Sequence, residues 1–441
     1  MTRQRVVVTG IGLLTPLGFN ISENWTNLIN GKSAIKQLVS EEAGQRVACL
    51  RFKYQNLPSR VAGQIDRDKL VESLLAKSII RRSDLKSMSW ANIFALAVAD
   101  EAIKDSGWKP ENTNQRAGTS IGTGMSGLLE TSEAAINLNN KKNYKTISPY
   151  FVPKILPNLS AGLISIKYKL NGPNHCVTTA CAAGTHAIAD AYNFIRNGLV
   201  DVMVCGATEA CIHPVSMAGF SVMRALATKF NDRAKEASRP FDILRDGFVM
   251  SEGAGCLILE SLENAKIRNA KIYAEILGSA INADANHITN PSANGDGAFN
   301  CMTMTLEDSK VRPEELDYIN CHATSTPAGD IAEMTAIKRI FKEKNLNHQV
   351  YISSMKGSLG HLLGAAGAAE VILTVLACKN KILPFNLNLE NVDPVLEMER
   401  APQLNLIKKN YVCLPSKKII ALKNSFGFGG TNSSICLSSF D

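Results

Sequence analysis

Two hydrophobic periods alternate along the chain. Short, almost unbroken apolar runs of strand length stand at Arg5–Gly10 (RVVVTG), just before the Gly-rich GTGMSG, at Asp201–Gly206 and in GFVMSEGAGCLILE; a strand buried on both faces reads this way, and the first run is predicted to be a parallel one. Between them, apolar positions recur at helical spacing over Ile21–Leu28 and over Met88–Lys104, where Ser106 and Gly107 mark the stop, and again after Cys181. An irregular stretch rich in Arg and Lys runs on to Asp246. From Lys271 the order starts again, with strands at KIYAEILG, LDYINCH and VYISSMK, helices over Asp330–Lys342 and from Gly364, and a terminal strand fed by NSFGFGGTN. VTTACAAGTHAIADAY (Val177–Tyr192) has a counterpart in SSMKGSLGHLLGAAGAAEVI. The repetition predicts an α/β chain of two similar halves, 1–264 and 265–441, each with a small-residue helix that can approach a neighbour closely.

Composition narrows the class. At 45% apolar and 20% charged the chain has the make-up of an ordinary globular protein. Its eleven cysteines are odd in number and scattered without a CxxC, which predicts neither a disulfide framework nor a metal cluster, and a reducing compartment. The net charge of +8 is spread out, with no basic run interleaved with aromatics, so an acidic protein partner is expected rather than nucleic acid. The most apolar helical stretch, Gly364–Cys378, carries Glu370, so no membrane span is expected, and the chain enters its first strand without an expected leader.

Cys181 sits where a β-rich run meets a helical pattern. A thiol at that junction faces free N–H groups and the positive end of the helix, both of which favour the thiolate; the competing reading is a buried small hydrophobe. His322 in CHATSTPAGD and His361 in KGSLGHLLGAAG fall in strand-end loops on the expected side of Cys181, where either a structural or a chemical role is open. His186, inside the Cys181 helix, reads as a packing residue. GTGMSG (Gly122–Gly127) matches the spacing of a dinucleotide loop, but no acidic strand end follows about 20 residues later, so no nucleotide is expected.

VTTACAAGTHA with Cys181, CHATSTPAGD with His322, KGSLGHLLGAAG with Lys356 and His361, and NSFGFGGTN with Phe426 and Phe428 together resemble the signature set of the elongating β-ketoacyl-acyl carrier protein synthases. The likeness extends over nearly the whole chain and implies the thiolase fold, a five-layer α/β/α/β/α arrangement of two duplicated halves, homodimeric. It implies acyl transfer to Cys181 and decarboxylative condensation with a malonyl thioester. His322 and His361 would stabilise the enolate, and the backbone N–H groups of Cys181 and Phe428 would form an oxyanion hole. By the same resemblance Lys356 is a buried lysine paired with Glu333, with Asp330 and Glu370 as supporting acids. Met125, Phe220, Phe426 and Phe428 would bound the acyl pocket, and Thr324 and Thr326 would contact pantetheine. Acyl carrier protein would dock on Lys86, Lys145 and Arg224 and bring the phosphopantetheine, so the enzyme itself needs no cofactor and no metal. Ala323, where the family more usually has glycine, with SPYFVPKIL and YKLNGPNH, is most similar to the mitochondrial branch; a matrix location is implied, with a cytoplasmic one as the alternative. Two other members of the fold fit less well. A degradative thiolase has a second cysteine in the loop that here carries Phe428, and silent chain-length partner subunits lack the nucleophile.

Overall fold

The computed structural model describes residues 3–38, 54–110, 116–342, 348–396, 403–415 and 418–440. Its first half contributes β1 (Val6–Leu14), the small separate pair β2 (Lys36–Gln37) and β3 (Val61–Ala62), then β4 (Ala117–Gly122), β5 (Asn174–Val177), β6 (Val202–Glu209) and β7 (Gly253–Ser261). The second half contributes β8 (Ala274–Ala283), β9 (Tyr318–Asn320), β10 (Val350–Ser353), β11 (Ile382–Leu383), β12 (Leu404–Leu406), β13 (Val412–Cys413), β14 (Ile420–Gly427) and β15 (Thr431–Ser439). Apart from the β2–β3 and β11–β13 pairs, these strands lie in the order β12-β10-β9-β14-β15-β8-β1-β7-β6-β4-β5.

That order repeats itself. With the edge strand β12 left out, each half has five main-sheet strands, of which the first neighbours the fifth, followed by the fourth, second and third: β1-β7-β6-β4-β5 and β8-β15-β14-β9-β10. Directions repeat too, since the second strand runs parallel to the third and fourth, and the fifth is antiparallel to the first and fourth. The halves join where β1 meets β8. The first run is therefore antiparallel to both neighbours, contrary to the parallel strand expected of it, and it continues through Ile11–Leu14. A strand buried on both faces shows the same unbroken apolar pattern in either direction, so the pattern could not distinguish them.

Five layers follow from which helices touch which strands. Trp90–Ser106 and Leu159–Tyr168 cover the outside of the first half, and Asp296–Ser309, unforeseen in the sequence, covers the outside of the second with Pro327–Ile340 beside it. Ala183–Arg196 and Ala366–Asn380 lie in the middle and each touches strands of both halves. Their closeness depends on glycine. A Cβ on Gly184 would lie 2.6 Å from the Ala368 nitrogen, and one on Gly367 would lie 2.7 Å from the Thr185 nitrogen, inside van der Waals contact with backbone that cannot move aside. Among the described residues one helix, Leu363–Asn380, is long and apolar enough to cross a membrane, but it is this central one, buried at every position from Ala366 to Cys378.

Candidate active site

Each central helix opens with the same device. Ala180–Ala182 forms a single 3₁₀ turn before Ala183–Arg196, and Leu363–Ala365 forms one before Ala366–Asn380. The first residue of each turn is left-handed, Ala180 at φ +49° and Leu363 at +47°, so ACAAG and LGAAG are backbone equivalents and Cys181 corresponds to Gly364. Ser325, three residues after His322, is left-handed as well, at φ +70°. Holding a non-glycine residue there costs about 1–3 kcal/mol, and the three strained positions fall in the loops of Cys181, His361 and His322.

These loops converge on one cavity of about 540 Å³. His361 Nε2 lies 3.0 Å from Cys181 Sγ. Its backbone is fixed on both sides, its N–H donating to Val249 O at 2.7 Å and its carbonyl accepting from Ser251 N at 2.9 Å, and its ring meets Phe248 edge-on. The His322 ring stands 5.3 Å from that of His361, centroid to centroid, at 80° to it, and Phe426 closes its other side. Behind His322, Glu333 accepts from the N–H groups of His322 (2.9 Å) and Ala323 (2.7 Å) and from Asn424 Nδ2 (3.1 Å). The carboxylate orients the loop and leaves the ring free.

Protonation follows from burial. Desolvation first, and then the positive charges of Lys356 and Lys423, hold both His322 and His361 well below the ordinary histidine range, so both rings are neutral at pH 7. Burial also pushes the Cys181 thiol up to about 12, although Lys356 and the N–H groups of Phe428 and of Cys181 itself favour the thiolate. The helix-start donors are therefore where the sequence placed them, but desolvation outweighs them and the resting sulfur is a thiol. A second expectation fails outright. Lys356 does not pair with Glu333: its Nζ lies 2.5 Å from Glu370 Oε1, on the central helix, and the other oxygen of Glu370 faces Lys423 Nζ at 2.9 Å.

Two family models divide most of the chain between them: β-ketoacyl synthase, N-terminal domain, over residues 3–265, and β-ketoacyl synthase, C-terminal domain, over residues 273–390. The chain belongs to the β-ketoacyl synthase family. It is an acyl-transferring condensing enzyme. It is 43% identical to the mitochondrial 3-oxoacyl-acyl-carrier-protein synthase of Arabidopsis thaliana, covering 99% of this chain and 94% of that one. It is 41% identical to 3-oxoacyl-acyl-carrier-protein synthase 2 of Rhizobium meliloti, covering 98% of both. A solved type II polyketide ketosynthase, in complex with its acyl carrier protein and bound to the hexaketide, superposes with a TM-score of 0.87 at 31% identity over the full length of both chains.

In this synthase the cavity gathers Cys181, His322 and His361 with Met125, Phe220, Phe426 and Phe428 on its apolar walls, and it reaches Thr324, Thr326 and Arg224. Other candidates lie elsewhere. Asp330 is buried beside Arg245 and accepts from Phe241 N at 2.9 Å, so it braces the 241–245 loop and touches no reacting group. Lys86 and Lys145 are exposed and do not line the cavity. His186 is buried, with Nδ1 2.7 Å from Thr179 Oγ1 and Nε2 3.2 Å from Asn432 O, as a packing residue would be. Two residues escaped the sequence reading. Glu209, at the end of β6, accepts from the N–H groups of Gly124, Met125 and Gly364, tying the cavity lining at Gly124 and Met125 to the second elbow. Lys423 is the other, and its signal was a charged residue within the apolar β14 run IALKNSF.

Proposed function

We propose that Cys181 takes the acyl group of an acyl carrier protein thioester and condenses it with malonyl-acyl carrier protein, giving 3-oxoacyl-acyl carrier protein, CO2 and free carrier protein. The observation that carries this reading is the placement of two neutral imidazoles at one sulfur, His361 Nε2 at 3.0 Å and His322 beside it. In the first step the sulfur attacks the acyl carbonyl, the bond to pantetheine sulfur breaks, and the proton lost by Cys181 ends on the departing pantetheine thiol. In the second, the malonyl C–CO2 bond breaks and its electron pair becomes an enolate, whose oxygen receives N–H donors from His322 and His361. The enolate carbon attacks the acyl carbonyl, whose oxygen is held by the N–H groups of Cys181 and Phe428. Collapse of that adduct releases the Cys181 thiolate, which takes a proton from solvent. Buried Lys356 sets the local field and transfers no proton. Intact-protein mass spectrometry after incubation with acyl carrier protein thioesters tests the whole scheme. An acyl adduct mapped to Cys181 is expected, and an adduct on another cysteine overturns it.

The pantetheine arm arrives on the partner, so no resident cofactor is needed. Arg224 is exposed at the cavity while Lys86 and Lys145 stand further off, and together they form the proposed basic surface for an acidic carrier protein. Exposed charges act within about 8 Å at physiological salt, so Arg224→Glu should raise KM for carrier-bound substrate, increasingly at low salt, and leave KM for a small thioester mimic unchanged. An unaltered carrier KM removes Arg224 from that surface. The partly exposed edge strand β5 and the helix Leu128–Lys141, none of whose residues is buried, support a homodimer. A mitochondrial location, with the matrix as the proposed compartment, is supported by the Arabidopsis relative's being named mitochondrial.

Met125 would set the acyl length. It packs with Cys181 and Phe220 against the cluster of Met217, Phe248 and Leu363, and its unbranched chain can turn away from a growing acyl tail. Met125→Trp should stop elongation at shorter chains by filling the floor, while Met125→Ala should change little for short substrates. A product distribution identical to wild type in the Trp variant, read by mass spectrometry, would show that the tail does not run past Met125.

A further inference from the structure

The condensation uses Lys356 and leaves a second buried lysine unassigned. Lys423 is fully buried on β14. Its Nζ forms an ion pair with Glu370 Oε2 at 2.9 Å, meets the Asn424 carbonyl oxygen and lies 3.4 Å from Ser425 Oγ. Lys356 holds the other Glu370 oxygen. One carboxylate is thus shared between two ammonium groups, an arrangement that leaves a positive charge over.

That charge is opposed by a second buried carboxylate. Glu333 lies on the far side of Asn424 and is held by neutral donors, the N–H groups of His322 and Ala323 and the Asn424 amide. The titratable groups behind the histidine pair are therefore Lys356 beside the His361 loop, Glu370 on the central helix, Lys423 on β14 and Glu333 on the His322 side, two bases against two acids; burial lowers the Lys423 pKa and raises that of Glu333, while Glu370 favours the Lys423 ammonium and Lys423 favours the Glu333 carboxylate. Glu209 faces Cys181 from β6, and the neighbouring Cys321 is a thiol held neutral by burial. Without Lys423 the balance becomes one cation against two anions, directly behind the place where the malonyl thioester oxygen gains negative charge. Unlike charges near a surface, these are not screened by solvent.

We propose that Lys423 is a positioning residue for the condensation: its ammonium offsets the second buried carboxylate, so that the enolate forms at His322 and His361 against a neutral background rather than a negative one. The inference rests on the assignment of those histidines to the malonyl step. Lys423 touches no substrate and acts through Glu370 and the strand that leads to Phe426.

Two variants test it. Lys423→Met keeps the volume of the side chain and removes the charge; Lys423→Ser removes both and frees space beside the oxygens that Lys423 Nζ meets, Glu370 Oε2, the Asn424 carbonyl and Ser425 Oγ, where a small added cation can be offered. A whole oxyanion donor is worth about 10²–10³ in rate, so a charge one step behind it should be worth about 10- to 100-fold in decarboxylation of a malonyl thioester, with acyl transfer to Cys181 changed less than about threefold. Ring resonances of His322 and His361 in histidine-labelled protein should titrate at higher pH in both variants, since a positive neighbour that disfavours imidazolium is gone. Ammonium or potassium should restore decarboxylation to Lys423→Ser, and choline should not. Unchanged decarboxylation in both variants, or a loss that no cation restores with histidine titration unmoved, overturns the proposal. If Lys423→Ser folds only when ammonium or potassium is present, the charge requirement is upheld; if neither variant folds even then, Lys423 is a packing element and the proposal falls. Wild-type protein that fails to decarboxylate the malonyl thioester would refute the assigned function instead, which keeps the two failures apart.

Discussion

Cys181→Ser should leave a folded protein that never holds an acyl group. The change replaces sulfur by oxygen at a position whose backbone is set by the left-handed Ala180 and by the turn Ala180–Ala182, neither of which depends on the sulfur. Stability should stay within about 1 kcal/mol of wild type, as for substitutions that create no cavity and bury no new charge. Chemistry should not survive. A serine hydroxyl is far harder to ionise than a thiol, and the group beside it, His361, is held well below the ordinary histidine range and is too weak a base to compensate. Acylated enzyme should be undetectable by intact mass, and overall condensation should fall to background, while decarboxylation of malonyl thioester, which the proposed scheme assigns to the histidines and not to the sulfur, should persist. An acyl adduct on the serine variant that peptide mapping places at a residue other than position 181 would mean that this other residue accepts the chain.

The elements that bring this site together were legible where local pattern and tertiary need agree. ACAAGTHA read as a strand-to-helix elbow because its small residues allow little else, and the repeat in LGAAGAAE exposed the duplication that places His361 opposite Cys181. What stayed illegible was decided by long-range packing. The direction of β1 depends on β7 and β8, which lie hundreds of residues away in the chain. The partner of Lys356 was assigned to the wrong carboxylate because Glu333 and Glu370 are both acids on helices behind the site; only the structure shows that Glu333 is used up by the His322 loop and that Glu370 lies on the central helix. The thiolate expected at Cys181 failed for the same reason. A sequence displays the donors at a helix start but not the depth at which the sulfur is buried, and depth dominates here.

His361→Ala should separate the two half-reactions. The malonyl step develops a full negative charge on a thioester oxygen, and the proposed scheme assigns its ring donors to His322 and His361, which stand together in the cavity; losing one such donor costs about 10²–10³ in rate. On the proposed scheme acyl transfer to Cys181 builds its charge on a different oxygen, assigned to the N–H groups of Cys181 and Phe428, which both lie at the Cys181 sulfur and which the substitution leaves in place. CO2 release from a malonyl thioester should therefore fall by about that factor, while the rate of Cys181 acylation, followed by mass, changes by far less. The backbone bonds of residue 361 to Val249 and Ser251 survive the change, so the elbow at Leu363 and the central helix should hold their places, and a melting curve close to wild type would show it. Equal losses in both half-reactions would mean that the ring serves to pack against Phe248 and His322 rather than to meet the enolate. Neutrality is what makes the expected asymmetry large. A ring already positive would polarise every oxygen in the cavity, whereas two neutral imidazoles act on the oxygen their N–H groups point to, and the depressed pKa of both shows that burial has kept them so.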